Sequence, residues 1–174
     1  MQEVTLSCGI PLAKWDTIGY YYDNGVGNPI MSSLLSKSSI YALRAALYIA
    51  TLPPNEYVPV HDIAEKLGIS FHFLAKILQA LTQRGILKSF RGPRGGVTLA
   101  RPADDVSLSE LVEAVDGSRR FDGCLMGLPG CGTEKPCPLH DRWASTQENI
   151  DAIFTDTTLG EQARRIKELD LRLH

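Results

Sequence analysis

Cys124, Cys131, Cys137 and His140 follow one another in the order Cys-x6-Cys-x5-Cys-x2-His. Thiolates are soft donors suited to zinc, copper(I) and iron-sulfur clusters, and imidazole suits zinc and iron, so this stretch supplies a complete four-ligand set. Zinc ribbons and fingers commonly open on closely spaced cysteine pairs, and the wider gaps here tilt the reading toward a cluster. Gly127, Pro129, Gly130, Gly132, Pro136 and Pro138 cannot propagate a helix and let the backbone fold round a small object. An oxidised cysteine pair, or thiols serving as small core hydrophobes, fits less well where no helical or strand period is present. Cys8 is far away in sequence and reads as a lone thiol, and His61 and His174 read as surface residues.

A chain of 174 residues with 44% apolar content can bury one ordinary core. No run approaches the roughly 18 apolar residues of a membrane span, and the amino terminus lacks the basic and apolar regions of a secretion signal. We therefore expect a cytoplasmic protein without a membrane partner, in a compartment that keeps clustered thiols reduced. The net charge of −2 conceals a division: residues 36–101 carry +6, residues 102–174 carry −6 and the first 35 carry −2. A basic segment beside an acidic one points to a polyanion as partner, most simply nucleic acid.

The elements that would position these residues follow in order. Residues 1–30, turn-rich and without a clear period, read as an extension preceding the functional domain. Ser38 or Ser39 caps a helix to about Leu52, with Leu43, Leu47 and Ala50 on one face and Pro53-Pro54 as its stop. Val60, Ile63, Ala64 and Leu67 make one face of a short helix that exits at Gly68, and Ser70 opens a second with Leu74, Ile77, Leu78 and Leu81 inward. Two strand-like runs, residues 86–90 and 97–100, then flank the basic, glycine-rich turn Arg91-Gly-Pro-Arg-Gly-Gly96. Helix, turn, helix and basic hairpin make a winged helix-turn-helix over residues 31–102.

On the second of these helices Ser70, His72, Phe73 and Lys76 are the candidate DNA contacts, nearest the amino end where recognition helices meet base edges. Arg91 and Arg94 in the wing suit a minor groove or phosphate. Residues 103–174 hold a helix opened by the capping box Ser107-Leu-Ser-Glu110, then the cysteine loop. A long helix follows with an apolar stripe of Leu139, Trp143, Ile150, Ile153 and Phe154, interrupted by Thr146 and Gln147; a shorter one starts near Thr158. That stripe either closes over its own core or pairs with its copy. The fold class is mainly α with a small β-hairpin wing.

Ser36-Lys37 with Tyr41-Ala42, Ile63-Ala64, Gly68-Ile-Ser70, Lys88-Ser89, Arg91-Gly-Pro-x-Gly-Gly96 and the cysteine loop with Trp143 together resemble the IscR-like family of bacterial winged-helix regulators. The match runs from about Met31 to Glu161. The resemblance implies a homodimer with a long C-terminal dimerisation helix, a pseudo-palindromic double-stranded operator, a recognition helix in the major groove and the wing in the minor groove. It also implies an iron-sulfur cluster that tunes DNA binding in response to redox state, iron supply or nitric oxide. Within the family, three cysteines and a histidine hold 2Fe-2S, whereas nitric-oxide sensors hold 4Fe-4S with a carboxylate from the partner's first helix. Residues 31–52 contain no Asp, Glu, His or Cys, so the expectation is 2Fe-2S on Cys124, Cys131, Cys137 and His140.

The chain departs from the pattern in its first cysteine gap, which is one residue longer than usual. At His72, Phe73 and Ala75 it differs from the iron-sulfur assembly regulator, and the operator is expected to differ accordingly. Two other classes stand beside this reading: a winged-helix regulator with a purely structural zinc on the same ligands, and a redox protein without DNA binding. No nucleophile-base pair, phosphate loop or dinucleotide fingerprint points to an enzyme.

Overall fold

The computed structural model describes residues 34–92, 95–117 and 123–171, and Lys37–His174 form one compact unit, described here by itself. Its first helix, α1 (Lys37–Ala50), buries Ser39, Ala42, Ala45, Ala46 and Ile49. The sequence pointed instead to Leu43, Leu47 and Ala50 as the inner face and to a start at Ser38 or Ser39. The helix begins earlier, and those three residues flank the core, partly buried. Helices from later in the chain pack against α1, and small side chains let them approach closely. Fully buried Ser39 is not a cap; its Oγ donates to Asp116 Oδ2 at 2.6 Å.

Helix α2 (Val60–Leu67) buries Ile63, Ala64 and Leu67 and ends on Gly68, whose φ of 64° is left-handed. The Ile69 N–H reaches back to the Ala64 carbonyl at 2.9 Å, so the turn satisfies a terminal carbonyl as it redirects the chain. Helix α3 (Phe71–Gln83) buries Leu74, Ile77, Leu78 and Leu81, and Ser70 occupies its N-cap position without making a side-chain cap. Strands β1 (Leu87–Phe90) and β2 (Gly96–Leu99) pair antiparallel, from Leu87 opposite Leu99 to Phe90 opposite Gly96. Val58 adds an isolated bridge to Val97, with bonds of 3.0 and 2.9 Å. A Cβ at Gly96 would collide with the Val58 carbonyl, so that approach requires glycine. Helices α2 and α3 with this hairpin form a winged helix-turn-helix.

A 3-10 turn (Ala103–Asp105) leads to α4 (Leu108–Asp116), opened by the expected capping box: the Glu110 N–H donates to Ser107 Oγ at 3.3 Å and the Ser107 N–H to Glu110 Oε1 at 3.1 Å. Arg101 pairs with the same Glu110. Helix α5 (His140–Asp156) carries no buried residue over its 17 positions. Within the described residues its apolar stripe therefore covers no core. Helix α6 (Leu159–Leu169) returns to α1 and the 3-10 turn, burying Leu159 and Ala163. The return is fixed by the Leu159 N–H on the Val106 carbonyl at 2.8 Å and by Arg164 on Asp104 at 2.7 Å.

Candidate metal centre and nucleic-acid interface

Between Gly123 and α5 the backbone makes short turns rather than a regular element. The Gly127 N–H donates to the Cys124 carbonyl at 2.9 Å, the Cys131 N–H to Leu128 at 3.4 Å and the His140 N–H to Cys137 at 3.0 Å. Gly127 and Gly130 hold φ of 65° and 71°, conformations that side chains with a Cβ adopt at a cost. These turns bring the Cys124, Cys131 and Cys137 sulfurs within 4.8 Å of one another. Cys124 and Cys137 are 3.8 Å apart, and His140 Nδ1 is 3.6 Å from Cys131 Sγ. All three cysteines are free and half-buried.

Two side chains of the helix behind the loop meet at one of its carbonyls. Gly123 O accepts Trp143 Nε1 at 2.7 Å and Gln147 Nε2 at 3.3 Å. In the sequence Gln147 read only as a gap in an apolar stripe; here it is a donor to the loop that carries the cysteines. The signal that could have found it is its position one turn beyond Trp143 on the same helix face.

The thiols differ electrostatically. The Leu128 N–H, helped by the Met126 N–H and the Cys131 and Cys137 thiols against partial desolvation, holds the Cys124 thiol at about 7 rather than the usual 9.0. At Cys131 the Cys137 N–H acts in the same direction, but desolvation and the neighbouring Cys124 and Cys137 thiols outweigh it and push the thiol up. A thiolate held by backbone donors beside other thiols is the chemistry a soft cation requires. Two thiolates on one tetrahedral metal, with bonds of about 2.3 Å, stand about 3.8 Å apart. The Cys124 to Cys137 separation matches that edge, and the donor set of three sulfurs and an imidazole fits iron-sulfur as well as zinc.

The second candidate surface lies on α3 and the wing. Ser70, His72 and Lys76 are exposed at the amino half of α3. Phe73 is also exposed, but its ring meets Tyr41 of α1 edge-on at 5.8 Å, so it braces α3 as well as facing solvent. Arg91 is exposed in the wing, and Arg94 lies outside the described residues. A groove of about 860 Å³ runs between α3 and the wing, lined among others by Phe71, Gln79, Gln83, Phe90 and Arg91. Phe71 and Phe90, exposed aromatics on its two sides, carry no signal in the sequence that separates them from core residues.

A family model described as Rrf2, iron-dependent transcriptional regulator, matches residues 35–165. The chain belongs to the Rrf2 family. Among its Rrf2 relatives, the HTH-type transcriptional regulator IscR of Klebsiella pneumoniae strain 342 is 32% identical over 137 residues, covering 79% of this chain and 83% of that one. The solved structure of CymR, the global cysteine regulator of B. subtilis, superposes with a TM-score of 0.63 at 21% identity, covering 75% of this chain and 96% of that one. T. potens IscR superposes at 0.62 with 23% identity, covering 79% and 91%. These two likenesses carry the fold. This Rrf2 chain is thus a transcriptional regulator rather than an enzyme, and no helix among its described residues is long and apolar enough to cross a membrane.

Proposed function

We propose that this Rrf2 regulator binds a pseudo-palindromic DNA operator as a homodimer, and that an iron-sulfur cluster on Cys124, Cys131, Cys137 and His140 tunes its affinity. The observation that carries this reading is the convergence of three sulfurs within 4.8 Å, with His140 Nδ1 3.6 Å from one of them. No carboxylate, histidine or cysteine occurs in α1, which favours the histidine-completed 2Fe-2S form over 4Fe-4S. When bound, such a cluster supplies reversible one-electron chemistry and sensitivity to oxygen, iron supply and nitric oxide.

The protein's own residues carry the consequence onward. Ordering the loop fixes the Gly123 carbonyl against Trp143 and Gln147 and so sets the start of α5. Leu139, Trp143, Thr146, Ile150, Ile153 and Thr157 recur at spacings of four and three, the seam of a helix that pairs with its copy. Ile153 is 62% exposed and Leu139 39%, which leaves that seam open for a second protomer. Asp116, at the other end of the loop, holds α1 through Ser39, and α1 packs directly on α3. A change at Asp116 thereby acts on the placement of the recognition helix. Residues 31–102 are the DNA-binding part in this reading, with Ser70, His72, Phe73 and Lys76 toward the major groove and Arg91 and Arg94 in the minor groove. Residues 103–174 hold the cluster loop and the dimer helix, and the protein works in the cytoplasm.

The 3.8 Å sulfur pair also favours a second reading, a single structural zinc ion on the same ligands. Anaerobic purification with visible absorption and assays of iron, sulfide and zinc separates the two. Bands between about 300 and 500 nm with equal iron and sulfide, two of each per chain, support the first. A colourless protein with one zinc replaces it with the second.

A further inference from the structure

We propose that Phe90 is a DNA-contacting wedge, a specificity residue that makes operator preference depend on how easily the base step under the wing unstacks. Phe90 is 58% exposed on the last position of β1, immediately before Arg91. Its ring is not loose: it rests on Tyr57 with centroids 5.8 Å apart and planes tilted 57°. Gly92 follows at a φ of 142°, and the Gly95 N–H closes the turn onto the Gly92 carbonyl at 2.8 Å. A Cβ at Gly92 would stand 3.7 Å from the Phe90 ring, so glycine leaves that side of the ring uncovered. Across the groove Phe71, 45% exposed, gives the recognition helix an aromatic wall facing the wing.

The surface is continuous with α3 and charged beside the aromatic, which commits its occupant to duplex DNA; the inference rests on the DNA-binding reading above. Arg91 supplies phosphate attraction without sequence information. A braced phenyl ring supplies the other element, since apolar side chains at a minor groove enter base steps and unstack them. Pyrimidine-purine steps such as T-A yield most easily, whereas A-tracts resist. The Phe90 contribution is uncharged and therefore independent of salt, which separates it from that of Arg91.

The test uses the full-length protein and operator duplexes it selects from a random pool. With 2-aminopurine placed at each step in turn, wild type brightens one step, and replacing that step with stiff A-A weakens binding by about five- to tenfold. Phe90→Ala abolishes both the brightening and the preference while leaving the salt slope unchanged, and Phe90→Leu retains part of each. Arg91→Ala lowers the salt slope by about one and keeps the brightening. A Phe90→Ala protein that melts like wild type yet keeps the brightened step and the preference overturns the wedge; if that variant is unfolded, a wild-type protein that binds its selected duplex and brightens no step overturns it equally. A wild-type protein that selects no duplex overturns the DNA-binding reading itself, a different failure from loss of the wedge alone.

Discussion

Replacing Trp143 by Phe keeps an aromatic ring, though a smaller one, and removes the 2.7 Å donation from Nε1 to the Gly123 carbonyl. A net hydrogen bond contributes about 0.5–1.5 kcal/mol, a factor of about 2 to 12 in the equilibrium that orders the loop. Gln147 still donates to the same oxygen at 3.3 Å, which places the single variant in the lower part of that range, at about threefold weaker metal retention. Removing both donors with Trp143→Phe and Gln147→Ala brings the loss to about tenfold and no further, because the exposed carbonyl then turns to water. The assay is chelator competition against loaded protein, followed by metal release at fixed pH and temperature. The thermal midpoint of the winged helix should stay where it is, since neither donor lies in the core. A double variant that holds its metal as tightly as wild type would show that the tie between loop and α5 does not govern the site.

Three further outcomes follow from the geometry. Ser107→Ala removes the acceptor at the start of α4 and should destabilise the fold by about 0.5–2 kcal/mol, read as a lower denaturant midpoint at unchanged slope. In metal-free protein, with its thiol held at about 7, Cys124 is mostly thiolate above that pH; its alkylation by iodoacetamide should rise through pH 7 and level off, while Cys131, whose thiol is pushed up from 9.0, lags to higher pH. Peptide mass spectrometry resolves the two, and equal pH profiles would refute the assignment. Ile153→Glu places a charge on the proposed dimer seam of α5, where Ile153 is exposed, and should shift sedimentation from dimer to monomer.

The winged helix was legible because α2 and α3 each bury one face, so Ile63, Ala64 and Leu67, then Leu74, Ile77, Leu78 and Leu81, stand out at helical spacing. The wing announced itself through Arg91-Gly-Pro-Arg-Gly-Gly96, where only a turn fits between two short apolar runs. The inner face of α1 was not legible. Burial of alanine and serine there depends on which helices arrive from elsewhere in the chain, and no local period records the Ser39 to Asp116 contact across 77 positions. The docking of α6 on α1 is hidden for the same reason. At the site, residue types and spacing disclosed the donors but not their supports, since Gly123, Trp143 and Gln147 meet only when the loop folds back on α5. Phe71 and Phe90 went unseen because an exposed aromatic and a buried one look alike in sequence.

Whether metal-site occupancy on the Cys124–His140 loop sets operator affinity is decided by one anaerobic titration. A single preparation, with iron and sulfide quantified, is split into loaded and chelated halves, and each is titrated against the same selected operator at the same salt concentration. The two isotherms should be separated by about tenfold or more, with the separation lost in Cys131→Ala. Superimposable isotherms for the loaded and chelated protein would uncouple the metal site from the operator.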